Sequence, residues 1–394
     1  MTKRIWITLS IACLFLLNAC AGKESYTCED PLGCITIQPN DPIKLGALLT
    51  LTGPDSTTGI DSMRAIEIAI SHKVGLLGHS VEVVKGDDLC EEEAGRQAAI
   101  QLATDTDIIG VIGASCSSAC VPAAKILSDA GTVLISPSST LAALTDPATH
   151  QAGFLRTIYN NKAQADIMAK FAREILGIQT MATLHDGSAF PKELQQLACD
   201  VFDELGGDCV AQNQVSEDEN EIAATIQQIS DLEPESIYYP LYTEAGSIVT
   251  LKVREKGMKD IVLLSSDGLL NAEFIRRTGQ ASEGVYISGP SLKQVDPAFL
   301  QEYKNRYGEA PIDIFTAQSY DAVMMLFAAV EKVAGQDANG IIYIPRQGLR
   351  DALYVTKDMP GLSGVLTCSE TGDCAQSEFQ IYQVQGGKFV PVYP

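Results

Sequence analysis

The feature that most limits the fold of this chain is a regular alternation of short β-branched runs with longer stretches whose apolar residues recur at helical spacing. In the stretch at 118–129, for example, Ala123, Ile126 and Leu127 would share one helix face, and Gly131 stands where such a helix would end. The first β-branched runs fall at residues 43–49, 80–85, 108–113 and 132–136, and the helical stretches at 61–73, 91–104 and 118–129. This order predicts a parallel sheet with helices on both faces.

The same pattern then starts again further along the chain. The second set has predicted strands at 181–185, 209–215, 236–240 and 261–265, and predicted helices at 163–176, 190–205, 219–232 and 245–256. A long apolar helix is predicted at 311–333, followed by late strands and turns at 362–392. Two consecutive units of one kind predict an α/β protein with two similar lobes, each a doubly wound and mostly parallel sheet.

The N-terminus has the layout of a secretory signal. Lys3 and Arg4 precede an apolar segment at 5–17 that is too short for a typical membrane-spanning helix. The sequence Leu17-Asn18-Ala19-Cys20 resembles a bacterial lipobox, which implies cleavage before Cys20 and a diacylglycerol on its sulfur. The alternative is an ordinary signal peptide with an incidental cysteine. We therefore expect a lipoprotein signal peptide at 1–19 and a lipidated tether at 20–42, because the latter is largely polar and holds three prolines.

The charge balance excludes two classes of partner. The chain has 28 Lys and Arg against 50 Asp and Glu, a net charge of −22, and loss of residues 1–19 would leave −24. Nucleic acids and anionic membrane surfaces both require basic patches, so neither is expected as a partner. Contact with a membrane is expected through the N-terminal lipid only. No later stretch has the ~20 apolar residues that a spanning helix needs, and 46% hydrophobic residues fit a folded protein.

Eleven cysteines indicate a disulfide framework, because an exported chain meets an oxidising compartment. Short loops favour the pairs Cys28–Cys34, Cys199–Cys209 and Cys368–Cys374. Cys90 would then pair with Cys116 or Cys120, one thiol would remain, and spacing alone does not decide between them. The rival interpretation, a metal site, is not favoured, because no CxxC pair occurs and the four histidines are scattered. Neither a metal nor a cofactor is expected.

Polar side chains follow several predicted strands at the edge where ligands bind in doubly wound sheets. Ser115 and Ser117 follow the strand at 108–113 and open a helix, whose free backbone N–H groups attract a carboxylate. The hydroxyls around Ser138 and Thr140, together with the carboxylate of Asp267, could surround an ammonium group. A zwitterionic α-amino acid fits both halves. For any one of these residues the alternative is simple helix capping or turn formation.

Several motifs resemble those of the leucine/isoleucine/valine-binding proteins of bacterial ABC importers, which have a type I periplasmic-binding fold. The resemblance runs from about residue 43 to the C-terminus. The motifs are Gly46-Ala47-Leu48-Leu49-Thr50-Leu51-Thr52-Gly53-Pro54, Asp87-Asp88-Leu89-Cys90, Val111-Ile112-Gly113-Ala114-Ser115-Cys116-Ser117-Ser118, Ile135-Ser136-Pro137-Ser138-Ser139-Thr140 with Leu144-Thr145, and Tyr238-Tyr239. The second and third motifs, about one βα unit apart, are the most specific. A Gly-Pro turn alone would not be specific for this family.

The resemblance implies a role for each matching position. Cys90 and Cys116 match the family's disulfide, which leaves Cys120 as the odd thiol. Ser117 matches the serine that binds the ligand carboxylate, and Ser138 and Thr140 match contacts to both charged ends of the ligand.

On the second lobe, Phe190 and Tyr242 match aromatic positions, and Asp267 matches an acidic partner of the ammonium group. Three positions depart from the pattern. Thr58 stands where an aromatic shapes the side-chain pocket, Phe190 lacks a tyrosine hydroxyl, and Asp267 is shorter than the usual glutamate. The first two departures question branched-chain specificity, whereas the third keeps the charge that favours an amine.

The resemblance also implies three crossings between lobes, near 157–161, 288–291 and 364–367. Lobe 1 would comprise 43–157 with 290–363, and lobe 2 would comprise 158–289 with 364–394. We expect a monomeric, lipid-tethered extracytoplasmic protein that closes on an amino acid and delivers it to an ABC permease of the branched-chain type.

The alternative is a sensing module for a small amide or carboxylate that is not coupled to transport. An enzyme is not expected, because the chain lacks the GxSxG, HExxH and P-loop motifs. In addition, His185 is the only histidine at a predicted strand end.

Overall fold

The computed structural model describes residues 27–73, 75–291, 295–375 and 378–394. Its strands are β1 Cys34–Ile37, β2 Ile43–Leu49, β3 Val81–Asp87, β4 Ile108–Gly113, β5 Leu134–Ser136, β6 Phe154–Arg156, β7 Thr180–His185, β8 Asp208–Gln214, β9 Ser236–Tyr238, β10 Val262–Ser265, β11 Tyr286–Pro290, β12 Gly335–Gln336, β13 Ile342–Pro345, β14 Met359–Gly361, β15 Gly364–Leu366, β16 Phe379–Gln385 and β17 Lys388–Tyr393. Its α-helices are α1 Ser56–His72, α2 Glu92–Thr104, α3 Ser117–Asp129, α4 Asn161–Lys170, α5 Ala189–Glu204, α6 Glu219–Ser230, α7 Thr243–Glu255, α8 Ala272–Thr278, α9 Pro297–Tyr307, α10 Thr316–Val333 and α11 Arg346–Tyr354. The predicted signal peptide and Cys20 lie outside the described residues.

Two sheets form the centres of two lobes, which confirms the predicted α/β class. The first sheet has the order β3-β2-β4-β5-β6 and is parallel throughout. The second has the order β17-β16-β11-β10-β9-β7-β8, in which β16 pairs antiparallel with both β11 and β17 and the other pairings are parallel. Each sheet has a hydrophobic cluster on both of its faces. Its strands are therefore apolar on both sides, as expected for a parallel sheet between two layers of helices.

Helix α3 of the first lobe is held close to its neighbour α2. A Cβ atom on Gly95 of α2 would lie 2.6 Å from the Cβ of Ala119, so only glycine permits this approach. The buried residues Ala119, Ala123 and Leu127 fix the inner face of α3 against the sheet. This packing sets the position of the N-terminus of α3, which faces the second lobe.

The predicted tether across 20–42 is wrong for its described C-terminal part. Residues 34–37 form β1, which pairs antiparallel with β13, and Ile35 and Ile37 are buried in the core of the first lobe. The Cys28–Cys34 disulfide closes the turn before this strand. The prolines that suggested a tether flank β1 instead of extending a linker.

Two other predictions differ in their boundaries. The helix predicted at 311–333 begins only at Thr316, because the backbone N–H groups of Ile312 and Asp313 donate to the buried carboxylate of Asp61, at 2.6 and 2.8 Å, instead of starting a helix. The crossing predicted at 364–367 lies later. Leu366 and Cys374 still pack in the core of the first lobe, and the chain enters the second sheet at β16.

The disulfides follow the predicted pattern. The structure contains Cys28–Cys34, Cys90–Cys116, Cys199–Cys209 and Cys368–Cys374. Cys120 is a free and buried thiol, and burial raises its pKa to about 11. A thiol with such a pKa stays protonated and packs as a small apolar side chain.

Candidate functional site

A cleft with about 600 Å³ of space between protein atoms lies where the carboxyl ends of both sheets face each other. The structure brings all eight predicted site residues to its walls: Thr58, Ser115, Ser117, Ser138, Thr140, Phe190, Tyr242 and Asp267. They come from distant parts of the chain. They meet because the carboxyl ends of parallel strands share one edge of a sheet.

One part of the wall from the first lobe consists of hydroxyls and the N-terminus of α3. Ser138 donates from its hydroxyl to the carbonyl of Ser115 at 2.7 Å, and Ser117 Oγ accepts from the backbone N–H of Leu141 at 3.2 Å. Thr140 is buried and lines the cleft beside them. This part of the wall is therefore a connected set of hydroxyls and backbone groups without a charged side chain.

A buried carboxylate holds the loop that carries Ser115 and Ser117. Asp88 accepts from Thr50 Oγ1 at 2.5 Å, from the backbone N–H of Ser115 at 2.9 Å and from that of Cys90 at 3.0 Å. Burial raises the pKa of Asp88, although these three donors act in the opposite direction. The Cys90–Cys116 disulfide joins the same two loops, so they form one rigid unit beneath the cleft.

Arg156 supports the loop that carries Thr140. Its guanidinium is completely buried and donates to the carbonyls of Ser139 at 3.1 Å and Leu141 at 2.8 Å. It also forms an ion pair with Asp373 at 2.5 Å, in the loop closed by the Cys368–Cys374 disulfide. One side chain thus fixes the loop of the first-lobe wall to the C-terminal segment.

The wall from the second lobe carries two aromatic rings and a carboxylate. The ring centroids of Phe190 and Tyr242 are 5.6 Å apart with planes inclined at 39°. The buried carboxylate of Asp267 accepts from Tyr159 Oη and from Gln164 Nε2, both at 2.8 Å. Burial raises the pKa of Asp267, whereas these hydrogen bonds lower it.

Two further carboxylates line the cleft, and neither was predicted from the sequence. Asp313 accepts from the hydroxyl of Thr58 and from the backbone N–H of Phe315, the latter at 2.8 Å. Burial raises its pKa to about 6, and the negative charges of Asp61 and Asp267 add to the shift. Asp55 also has a pKa raised to about 6, by burial and by the charges of Glu217 and Asp186.

The sequence held a signal for one of these two acids only. Asp55 follows the carboxyl end of β2 after the Gly53-Pro54 turn, so the rule used for the other strands applies to it. Asp313 lies on no strand end. It reaches the cleft from the loop between α9 and α10, two helices that both pack against α1 of the first lobe.

The comparisons with known proteins decide the family. A family model described as periplasmic binding protein matches residues 42–388. The chain belongs to this family. The resemblance to leucine/isoleucine/valine-binding proteins is also confirmed, because the relatives of this periplasmic binding protein include several that bear that name.

Three of these relatives show how much of the chain is shared. Leu/Ile/Val-binding protein homolog 3 of Brucella melitensis is 26% identical over 88% of this chain and 93% of its own length. A leucine-, isoleucine-, valine-, threonine- and alanine-binding protein of Pseudomonas aeruginosa is 24% identical over 95% of this chain and 96% of its own length. A crystal structure of a leucine-binding protein of Thermotoga maritima superposes with a TM-score of 0.80 and 25% identity, over 89% of this chain and 97% of that one.

Membership makes the chain a solute-binding protein and implies a place outside the cytoplasm. In the ranges that the structure describes, no helix is long and apolar enough to cross a membrane. Nor do those ranges contain a group of three or more His, Cys, Asp or Glu side chains that could hold a metal ion.

The raised pKa of Asp313 predicts a pH-dependent stability. Between its usual pKa of 3.8 and its folded value of about 6, the folded protein holds a proton that the unfolded chain releases. The stabilisation is fully present below pH 3.8 and is lost as pH rises through 6. We expect a loss of about 1–2 kcal/mol between pH 4 and pH 7, allowing for the partial exposure of the side chain. Urea unfolding of Asp313→Asn and wild type at both pH values measures it, and parallel pH profiles would contradict the assignment.

Proposed function

We propose that this protein captures an amino acid in the cleft by closure of its two lobes and delivers it to an ABC permease of the branched-chain type. The observation that carries the proposal is the chemical asymmetry of the cleft. Hydroxyls and a helix N-terminus form part of the first-lobe wall, and a buried carboxylate beside aromatic rings forms the second-lobe wall. A zwitterion presents opposite charges to these two walls.

The carboxylate of the ligand is assigned to the first lobe. The backbone N–H groups at the start of α3 have no partners within the helix, and the helix dipole favours an anion there. The hydroxyls of Ser117 and Thr140 add neutral donors, whereas the Ser138 hydroxyl already donates to Ser115. No cation is needed, because charge-assisted hydrogen bonds to such donors are about twice as strong as neutral ones.

The ammonium group is assigned to the second lobe. Asp267 lines the cleft, and its negative charge attracts an ammonium group. Its carboxylate accepts from Tyr159 and Gln164, and the backbone N–H groups of Asp267 and Gly268 also lower its pKa. Phe190 and Tyr242 would cover the rest of the ligand, and their apolar faces exclude water from the pair of charges.

Closure of the two lobes follows from the assignment of the ligand's two charged groups to different lobes. The ligand binds both walls at once only when the lobes approach, so it stabilises the closed state by the contacts that the open state lacks. A permease that recognises the closed state would accept loaded protein in preference to empty protein. A lipid on Cys20, attached after cleavage of residues 1–19, would keep the molecule near that permease. The proposal requires no chemical conversion of the ligand.

A ligand screen tests the proposal. Purified protein that has been freed of bound solute is titrated by calorimetry with amino acids, and each ligand is compared with the acid and the amine of the same side chain. We expect at least one amino acid to bind and to raise the melting temperature, since ligand at 100 times its dissociation constant adds about 2.7 kcal/mol. Both analogues that lack one of the two backbone charges should bind at least tenfold more weakly. A preference for the acid or for a small amide would contradict the proposal.

A further inference from the structure

On the basis of the proposed function, we infer that the ligand is an amino acid with a second positive charge on its side chain. The cleft contains three carboxylates, those of Asp55, Asp267 and Asp313. None of the described residues that line it is a lysine, arginine or histidine. A single α-ammonium group balances one of these charges, and the N-terminus of α3 already satisfies the ligand carboxylate.

A second cavity beside the cleft has the same sign of charge. This cavity shares Asp55 and Tyr242 with the cleft, and it is lined in addition by Glu91, Asp186 and Glu217. Its described lining also lacks a basic side chain. Carboxylates in a groove with apolar walls raise the local concentration of cations and speed their entry. The cleft and the second cavity therefore both favour a cationic solute.

The two innermost carboxylates are held by different parts of the chain. Asp267 is bonded to Tyr159 and Gln164, whereas Asp313 is bonded to Thr58 and to the backbone of Phe315. Asp313 keeps acceptor sites beyond these two bonds. We assign the α-ammonium group to Asp267 and the side-chain cation to Asp313.

An apolar side chain at this position would be disfavoured. When the lobes close over a leucine-like ligand, Asp313 loses contact with water and gains no cation in return. Asp313 must then either stay charged with only Thr58 and the Phe315 N–H as donors or take up a proton, and both outcomes offset part of what the buried methylene groups return. A negatively charged pocket of this kind selects against neutral ligands as well as for cationic ones. Ile314, Phe315 and Leu270 can still cover the methylene groups that join the two cations.

The test compares ligands that differ only in the second charge. Lysine and norleucine form one pair, and arginine and citrulline form the other. Calorimetry at pH 7.5 and 0.15 M salt, where Asp313 is ionised, measures all four. We expect the basic member of at least one pair to bind 100-fold or more tightly than its neutral partner. Decarboxylated lysine should bind more weakly than lysine, because it leaves the α3 wall unused. If lysine and decarboxylated lysine bound equally, the two cations would be assigned correctly, but the assignment of the ligand carboxylate to the N-terminus of α3 would be wrong.

A charge variant tests the assignment of Asp313. Asp313→Asn should weaken binding of the basic ligand at least tenfold and leave its neutral partner unchanged or tighter. The matched control is Asp200→Asn, which removes an exposed carboxylate from α5 that does not line the cleft, and so reports the effect of net charge alone. A loss of affinity that is equal for both ligands, or equal in both variants, would overturn the assignment. If Asp313→Asn does not fold, the wild-type ligand pairs still decide the inference.

The two levels of the proposal fail separately. If the neutral partners bind as tightly as the basic ligands or more tightly, the inference is overturned and the proposed amino-acid binding stands. If folded wild type binds none of the four and none of the other amino acids, the proposed function itself falls. Binding of benzoate in place of every amino acid would lead to that same conclusion.

Discussion

Asp267→Asn is expected to weaken binding of the amino acid at least 100-fold while the protein remains folded. The substitution keeps the shape of the side chain and removes its charge, so the ligand ammonium is buried opposite a neutral amide. Loss of one partner of a buried ion pair costs about 3–5 kcal/mol, which exceeds the roughly 2.7 kcal/mol that corresponds to 100-fold. Calorimetric titration of both proteins with the same amino acid measures the difference.

The surroundings of Asp267 explain why asparagine is the informative substitution. The oxygen of an introduced asparagine can still accept from Gln164 Nε2, and its N–H group can donate to the hydroxyl oxygen of Tyr159. Asp267→Ala instead leaves the Tyr159 hydroxyl without its acceptor, at about 1–3 kcal/mol, and should lower stability as well, whereas Gln164 Nε2 keeps Ser288. Asp200→Asn is the matched control. Unchanged affinity in a folded Asp267→Asn protein would remove Asp267 from the site.

Arg156→Met is expected to lower the free energy of unfolding by about 3 kcal/mol or more. The guanidinium is completely buried, and its removal takes one donor each from the carbonyls of Ser139 and Leu141 and from the hydroxyl of Thr145. Each buried acceptor that loses its partner costs about 1–3 kcal/mol, and the ion pair with Asp373 is lost too. Methionine keeps most of the length of the side chain, so the cost measures hydrogen bonds rather than a cavity. Urea unfolding measures the change.

An exposed arginine supplies the control. Arg96 pairs with Glu92 and Glu93 on the surface of α2, and Arg96→Met should change the free energy of unfolding by less than about 1 kcal/mol. If both variants lose the same small amount, the buried cluster does not have the role assigned to it. Because Arg156 holds the loop that carries Thr140, Arg156→Met should also weaken ligand binding in whatever fraction of the protein remains folded.

Much of the fold followed from local periodicity. The strands of both sheets and the helices between them have apolar patterns strong enough to be recognised one element at a time. β1 was missed because it has only four residues and its partner β13 lies about 300 positions further along the chain. The late start of α10 was missed for a similar reason. The groups that prevent helix formation at Ile312 and Asp313 are the oxygens of Asp61, some 250 positions away.

The cleft shows the same limit. Ser115, Ser117, Ser138, Tyr242 and Asp267 were predictable together, because each follows the carboxyl end of a strand and parallel strands bring those ends to one edge. That rule contains no information about a loop that joins two helices. Asp313 enters the cleft from the loop between α9 and α10, so only the three-dimensional structure shows that the cleft holds more negative charge than an ordinary zwitterion can neutralise.

The pairing of β1 with β13 also determines how far from a bilayer the binding site can work. If Cys20 carries the lipid that we propose, the Cys28–Cys34 loop that leads into β1 lies only eight positions downstream. Eight residues cannot reach beyond about 28 Å even when fully extended, whereas a linker lasting to residue 42 could reach about 75 Å. The start of the first lobe would therefore stay within about 28 Å of the lipidated residue. A transport partner would therefore have to receive the solute close to the membrane surface.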